Sequence, residues 1–502
     1  MSVHPRSRLA SLLRIGVAAL AAIYVVSFCV LAVVRLSYPY EVDPLEGNVL
    51  AMALRVLHGE PLYAPPSVDY TAFCYPPLYF HVAAAVMRVI GPGYAALRAV
   101  SLVATVATAA TIYAVLRRER VRPWLGLAAV AAFIGGYART HYVGDAGRVD
   151  ALALALGLAA IAAMLSGSTL RSAAVAGCLG GLAILAKQPM AVLVAGAAAY
   201  QLGRGPRLRA LVFVAATAAS ALAALAWMGL LFDPWLAFYC LDVPASHHLR
   251  AWDLAVLAPV FVVTTLPIAL GAPLVDRRWR RAWLADPWSI TTLGYLAMSL
   301  VARAKEGGSA NVFLPIVALA AIQLGRYLES LCDRLPRTAL ALLAGQLALL
   351  WWSPLAIWPT ARDVARGDRV VAQIAALPGD VYAMAFPAYA VLAGKPWHAH
   401  YIALCDLQRL APGIADELAQ LVASGRLAAV LPPFPDLGET DGCDVPGLAD
   451  HYRRAGTLDA IDAAAQPSDA AAVFGGPQLF ELVHGGKLGP IYTSEPQPQP
   501  GR

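Results

Sequence analysis

Charge is scarce in this chain. Only 14% of its 502 residues are Asp, Glu, Lys or Arg, against 59% hydrophobic, and the mean hydropathy is +0.61. That balance excludes an ordinary soluble domain and leaves a polytopic α-helical membrane protein. The seven cysteines lack metal-ligand spacing, which argues against a cysteine-built metal centre. The net charge of +6 is not gathered into one stripe, so no nucleic-acid partner is expected. A clear internal repeat is also missing, which weighs against a transporter built from inverted halves. No small-residue cleavage site follows the first apolar run, 9–36, and Arg6 and Arg8 precede it. It reads as an anchor with a cytoplasmic N-terminus.

What charge there is sets the topology. Arginines cluster in short loops at Arg117, Arg118, Arg120 and Arg122; at Arg204, Arg207 and Arg209; at Arg277, Arg278, Arg280 and Arg281; and at Arg326, Arg334 and Arg337. All four loops are expected to face the cytoplasm. Two apolar runs break that pattern if each is counted as one span. Pro77–Ile90, about 14 residues, covers roughly 21 Å of a 30 Å core, so it is expected to lie along the outer interface. The run 172–202 would reach about 46 Å as one helix. Lys187, Gln188 and Pro189 interrupt it, so it reads as a hairpin with Lys187 at the outer turn. Other spans fall near 95–116, 123–138, 148–165, 208–231, 253–273, 286–302, 311–328 and 338–358. About eleven transmembrane helices result, which puts the tail outside the membrane.

The chain thus divides into a membrane domain, 1–358, a C-terminal extracytoplasmic α/β domain, 359–490, and a disordered tail, 491–502. In the α/β domain short apolar runs at 379–386 and 427–434 flank a helical pattern near 411–425. Cys405 and Cys443 could bridge there, since disulfides persist outside the cytoplasm.

Carboxylates gather on the outer face. Asp43 and Glu46 follow the first span, and Asp145 and Asp150 lie with Arg139, His141, Tyr142 and Arg148 in 138–156. Asp150 opens an apolar span, where a carboxylate needs a partner or a task, although a helix N-terminus also favours negative charge. Lys187 between two short apolar helices is hard to explain by solubility alone. Arg303 and Lys305 also face outward, and a solvated loop would account for them equally well. Tyr75 and His81 are expected at headgroup depth. In the helical stretch Gly47–His58, Val49, Leu50, Ala53, Leu54 and Leu57 form one stripe, for packing or for a lipid tail. His398 and His400 without a third ligand are weak grounds for a metal.

Five segments in order carry a family resemblance: EGNVLAMALRVLHGEPLY (46–63), PPLYF (76–80), ARTHYVGDAGRVDALALAL (138–156), AKQP (186–189) and GGSANVFLP (307–315). Over roughly 10–330 the chain resembles the GT-C glycosyltransferases of family 39, the protein O-mannosyltransferases and the lipid A aminoarabinose transferase group. The family's adjacent acidic pair is altered here. Glu46 matches its second member, Leu45 stands at the first, and Asp43 lies three residues upstream of Glu46. Asp150 matches the second-loop aspartate and Lys187 the lysine of a later turn. The lysine found before the PPL-like motif in some relatives is replaced by Cys74 and Tyr75.

The resemblance implies a transferase that takes sugar from a polyprenyl-phosphate-linked donor at the cytoplasmic (inner) membrane, with inversion, and passes it to an extracytoplasmic protein, lipid or glycan acceptor. Membrane lipid is the other expected partner. Such chemistry needs a base for the acceptor hydroxyl and cations for the departing phosphate. Asp43, Glu46 and Asp150 are the catalytic candidates. Lys187, Arg148, Arg139, Arg303 and Lys305 are the phosphate-binding candidates, and Tyr75, His81, Tyr142, Asp145 and Asn311 are further outer-face residues. A divalent cation on Asp43, Glu46 and Asp150 is conceivable by analogy with some GT-C enzymes. The competing reading is a transporter or flippase of a lipid-linked or small anionic substrate. A membrane-anchored binding protein whose tail does the work would leave the loop carboxylates unexplained.

Overall fold

The computed structural model describes residues 5–250, 261, 265, 267–284, 286–407, 409–431, 451–457 and 490–494. Helix α1 (Pro5–Leu36) leads into an outer loop carrying α2 (Glu46–His58) and α3 (Leu78–Ile90). Then follow α4 (Tyr94–Arg118), α5 (Pro123–Gly135), α6 (Val149–Ser166), α7 (Leu170–Ala186), α8 (Met190–Arg204) and α9 (Arg207–Trp227). The second half holds α10 (Pro267–Val275), α11 (Arg277–Leu284), α12 (Pro287–Ala304), α13 (Leu314–Cys332) and α14 (Pro336–Leu349).

Among the described residues six helical segments are long and apolar enough to span a membrane: Arg14–Leu36, Tyr94–Arg118, Val149–Ser166, Arg207–Trp227, Ala310–Cys332 and Pro336–Ile357. The others expected from sequence are shorter or more polar, and the run at 253–273 falls largely outside the described residues. The hairpin is present as α7 and α8, joined by a turn at 187–189.

Ion pairs sort the loops onto two ends of the bundle. At one end Arg122 meets Glu329 at 3.1 Å and Asp333 at 2.6 Å, Arg326 meets Glu119 and Asp286, and Arg334 meets Asp276 at 3.2 Å. These contacts join three of the arginine-rich loops. At the other end the loop after α1, the 138–148 loop, the α7–α8 turn and the loop before α13 come together.

The tail carries α15 (Ala361–Ala376), opened by a capping box on Thr360 and Asp363, and α16 (Gly413–Ala423). Its sheet has the order β1-β2-β4-β3, with β1 (Asp380–Ala383), β2 (Leu427–Leu431), β3 (Tyr452–Thr457) and β4 (Pro490–Ser494). β1 and β2 run parallel and the other pairs antiparallel. The strand β4 takes up residues 491–494, so the disordered tail expected over 491–502 is too long at its start; IYT is strand-forming chemistry that the Pro/Gln composition around it masks. Cys405 is disulfide-bonded, and Cys443 lies outside the described residues.

This domain does not hang free. Tyr38, Tyr40, Val42 and Ala146 share one buried cluster with Val370, Val381 and Ala429. Val49, Met52 and Phe73 share another with Tyr382, Leu418 and Val430. The apolar stripe of α2 is therefore packing surface, with Val49 and Ala53 fully buried.

Candidate active site

Glu46 starts α2 and is 0% exposed. Arg98 of α4 donates to Oε1 at 3.0 Å and to Oε2 at 2.7 Å, the Gly147 amide donates to Oε1 at 2.6 Å, and the Val42 amide donates to Oε2 at 2.9 Å. Arg98 also donates to the carbonyls of Arg35, Tyr38 and Tyr40. One ion pair thus ties α1, the first loop, α4 and the 138–148 loop together. Gly147 permits the approach, because a Cβ there would sit 2.8 Å from Leu97 Cβ and 3.2 Å from the Glu46 carboxylate.

Asp43, three residues earlier, is held differently. A single nitrogen of Arg148, Nη1, reaches its two oxygens at 2.8 and 3.0 Å, and the Leu45 amide donates to Oδ1 at 2.9 Å. Arg148 is the extended residue just before α6, so its side chain leaves the helix axis and points back over the first loop. Its Nε lies 3.6 Å from Asp150 Oδ2, and its Nη2 lies 3.5 Å from the Tyr75 hydroxyl. Burial works against the charge on Arg148, but Asp43, Tyr75 and Asp150 together outweigh it, and the guanidinium is held more firmly protonated than usual. Asp150 in turn accepts from Lys187 Nζ at 2.5 Å and from Asn311 Nδ2 at 2.9 Å. Asp43, Arg148, Asp150 and Lys187 therefore form one alternating row of charges built from three separate segments: the first loop, the entry to α6 and the α7–α8 turn. The Lys187 turn is fixed by Gln188, whose amide donates to the carbonyls of Cys74 and Cys240.

The remaining candidates scatter around this row. Asn311 joins it directly, and Ser309 links the same loop to His141 Nδ1 at 3.3 Å. His141 and Tyr142 both take left-handed backbone, with φ of 57° and 55°, which is strained for non-glycine residues. Burial pushes His141 below its usual range. Tyr142 packs against Tyr137 and Trp352. Asp145 pairs with Arg35 at 3.3 Å and accepts from the Tyr137 hydroxyl, while burial raises its pKa. Arg139 donates to the Leu349 carbonyl at the end of α14. Arg303 donates to the Gly308 carbonyl, and Lys305 to that of Pro244. His81 bonds its own helix at the Pro77 carbonyl and faces Trp227. The hydrogen bonds of Arg139, Lys305 and His81 thus lead away from the charged row.

Sequence reasoning passes over Arg98, Arg35 and Glu41. The first two are visible as arginines inside apolar runs, which demand partners. Glu41 is buried, accepts from Tyr94 at 3.2 Å through one oxygen, and has a pKa raised well above normal by burial and then by Glu46. Glu46, Asp43 and Asp150 each already face a cationic side chain, and no three of His, Cys, Asp or Glu gather among the described residues.

Known proteins bear on this geometry. Residues 75–231 match the family described as dolichyl-phosphate-mannose-protein mannosyltransferase. No curated protein matches significantly in sequence. The crystal structure of apo ArnT from Cupriavidus metallidurans is similar at TM-score 0.53 and 15% identity, over 82% of this chain and 92% of that one. The same protein bound to undecaprenyl phosphate gives 0.51 and 14%, over 80% and 90%. The chain has the GT-C fold, protein-mannosyltransferase-like over 75–231 and ArnT-like in its overall architecture.

Proposed function

We propose that this protein is an integral-membrane glycosyltransferase that moves a sugar from a polyprenyl-phosphate-linked donor to an acceptor on the extracytoplasmic face of the inner membrane. The observation that carries this reading is the row Asp43, Arg148, Asp150 and Lys187, where two carboxylates alternate with two cations. The ArnT structure with undecaprenyl phosphate supports the donor class.

In this reading the acceptor hydroxyl oxygen attacks the anomeric carbon while the bond from that carbon to the phosphate oxygen breaks, and the electron pair leaves on the phosphate. Asp43 takes the hydroxyl proton, and Arg148 and Lys187 receive the growing phosphate charge. The attack inverts the anomeric centre. Glu46 acts as an anchor, since its oxygens are already taken by Arg98 and two amides. Asp150 holds Lys187 and Asn311 in place. In this reading no step is routed through a metal; turnover that survives chelation would fit it, and turnover that stops would add a divalent cation on the carboxylates. The acceptor is a protein, a lipid or a glycan, and the tail domain packed on the first loop has the position to shape its approach.

The test is sugar transfer or release by purified protein in lipid from a panel of polyprenyl-phosphate sugars. Turnover with one donor supports the transferase. Movement of a substrate across the bilayer without transfer from any donor would hand the case to the transporter reading.

A further inference from the structure

Helix α11, RRWRRAWL, lies at the bundle end opposite the charged row, and its two faces could hardly differ more. Trp279 and Trp283 are 9% and 7% exposed and belong to the main apolar cluster, where Trp279 packs on Tyr327 with ring centroids 5.5 Å apart. Arg277, Arg278, Arg280 and Arg281 all point outward and are exposed. Asp276 caps the helix through the amides of Arg278 and Trp279 and pairs with Arg334, while Asp286 is taken by Arg326. Among the described residues the four α11 arginines have no carboxylate partner within ion-pair distance.

The residues just before the helix fix its depth. Leu274 and Val275 end α10 and are 78% and 80% exposed, which in a membrane-spanning chain places them against acyl chains. Two residues later, at Arg277, the arginine face begins. Two buried tryptophans, Trp279 and Trp283, tie that face to the bundle.

We propose that α11 is a docking surface for anionic phospholipid headgroups. The phosphates of the adjacent leaflet supply the counter-charges that the protein does not, with arginine's fork suited to bidentate contact. A topological signal needs only net positive charge in this loop. A rigid face with its own acids diverted to other arginines goes beyond that need.

The experiment compares lipid retention by the full-length protein in nanodiscs of mixed phosphatidylglycerol and phosphatidylcholine. Measurements use wild type, the fourfold variant Arg277→Gln, Arg278→Gln, Arg280→Gln and Arg281→Gln, and the milder pair Arg278→Gln with Arg281→Gln. The expected result is preferential phosphatidylglycerol retention by wild type, weakened by added salt and reduced roughly fivefold for each arginine removed. The pair serves if the fourfold variant fails to fold. Equal retention of both lipids by wild type, or unchanged retention in the folded pair, overturns the proposal. Displacement of the bound phosphatidylglycerol by inorganic phosphate at unchanged ionic strength would mark a free-anion site, and displacement only by a second copy of the protein a self-association face; either overturns it as well.

Discussion

Glu46 and Asp43 stand three residues apart on one loop, each beside an arginine, yet their surroundings differ sharply. Glu46 has no exposed surface and four hydrogen bonds, and its arginine is itself spent on three backbone carbonyls. Asp43 is 6% exposed and shares an arginine that also borders Asp150 and Tyr75. A saturated pair has no free hydrogen-bonding position to offer a substrate, and losing either charge strands the other in the interior. A shared pair can exchange partners when an anion arrives. The first arrangement builds the loop, and the second leaves a group able to act.

The largest expected effect falls on the saturated side. Glu46→Ala leaves Arg98 buried and unpaired, which should cost about 3–5 kcal/mol and largely deplete folded protein in detergent. A melting curve close to wild type would show that the anchor role is wrong.

The next prediction concerns His400, which fastens the Asp43 side of the loop to the tail domain. Its Nε2 lies 3.0 Å from the Pro44 carbonyl, and its Nδ1 accepts from the Ile402 amide at 3.1 Å. Burial pushes its pKa down to about 4. The unfolded chain, with a histidine pKa near ~6.5, then binds its proton first as pH falls. His400 should thus remove stability progressively between pH ~6.5 and about 4, on the order of 3 kcal/mol in all. Melting against pH should be steeper for wild type than for His400→Gln across that window, and parallel curves would contradict the assignment.

Lys187→Gln removes one cation from the row while Asn311 and Arg148 still hold Asp150. Loss of one charged hydrogen bond of ~1.5–3 kcal/mol corresponds to a rate roughly 10- to 100-fold lower. Full activity in this variant would remove lysine from phosphate binding. The smallest effect is expected at Arg409, whose exposed pair with Glu306 bridges the tail domain to the loop before α13 at 2.6 and 3.0 Å. Arg409→Ala should leave the melting temperature unchanged within error, and a clear drop would make that contact a structural clasp.

Much of this arrangement is legible in the amino-acid order itself. Span-end arginines sort the loops, an overlong apolar run broken by Lys187, Gln188 and Pro189 predicts a hairpin, and the grouping of Asp43, Arg148, Asp150, Lys187 and Asn311 follows from that sorting. The division of labour between Asp43 and Glu46 is not legible there. It depends on Arg98, some fifty residues away, and on a glycine amide at 147 that only the folded loop brings within reach. Nor does the sequence separate Lys187, in the row, from Lys305, which is bound to the Pro244 carbonyl. The tail's dependence on the first loop is also hidden, because clusters such as Val42 with Val381 join runs that look independently short.

Whether Asp43 is the base and Glu46 the anchor is decided by setting Asp43→Asn against Glu46→Gln and measuring transfer from a polyprenyl-phosphate sugar per mole of folded protein. Losing a general base lowers rates by roughly 10²–10⁴-fold. Asp43→Asn should fall by that much with its folded yield preserved, whereas Glu46→Gln should lose folded yield but keep the turnover of whatever folds. The reverse pattern, a well-folded but inactive Glu46→Gln beside an active Asp43→Asn, would move the base to Glu46 and overturn the division of roles.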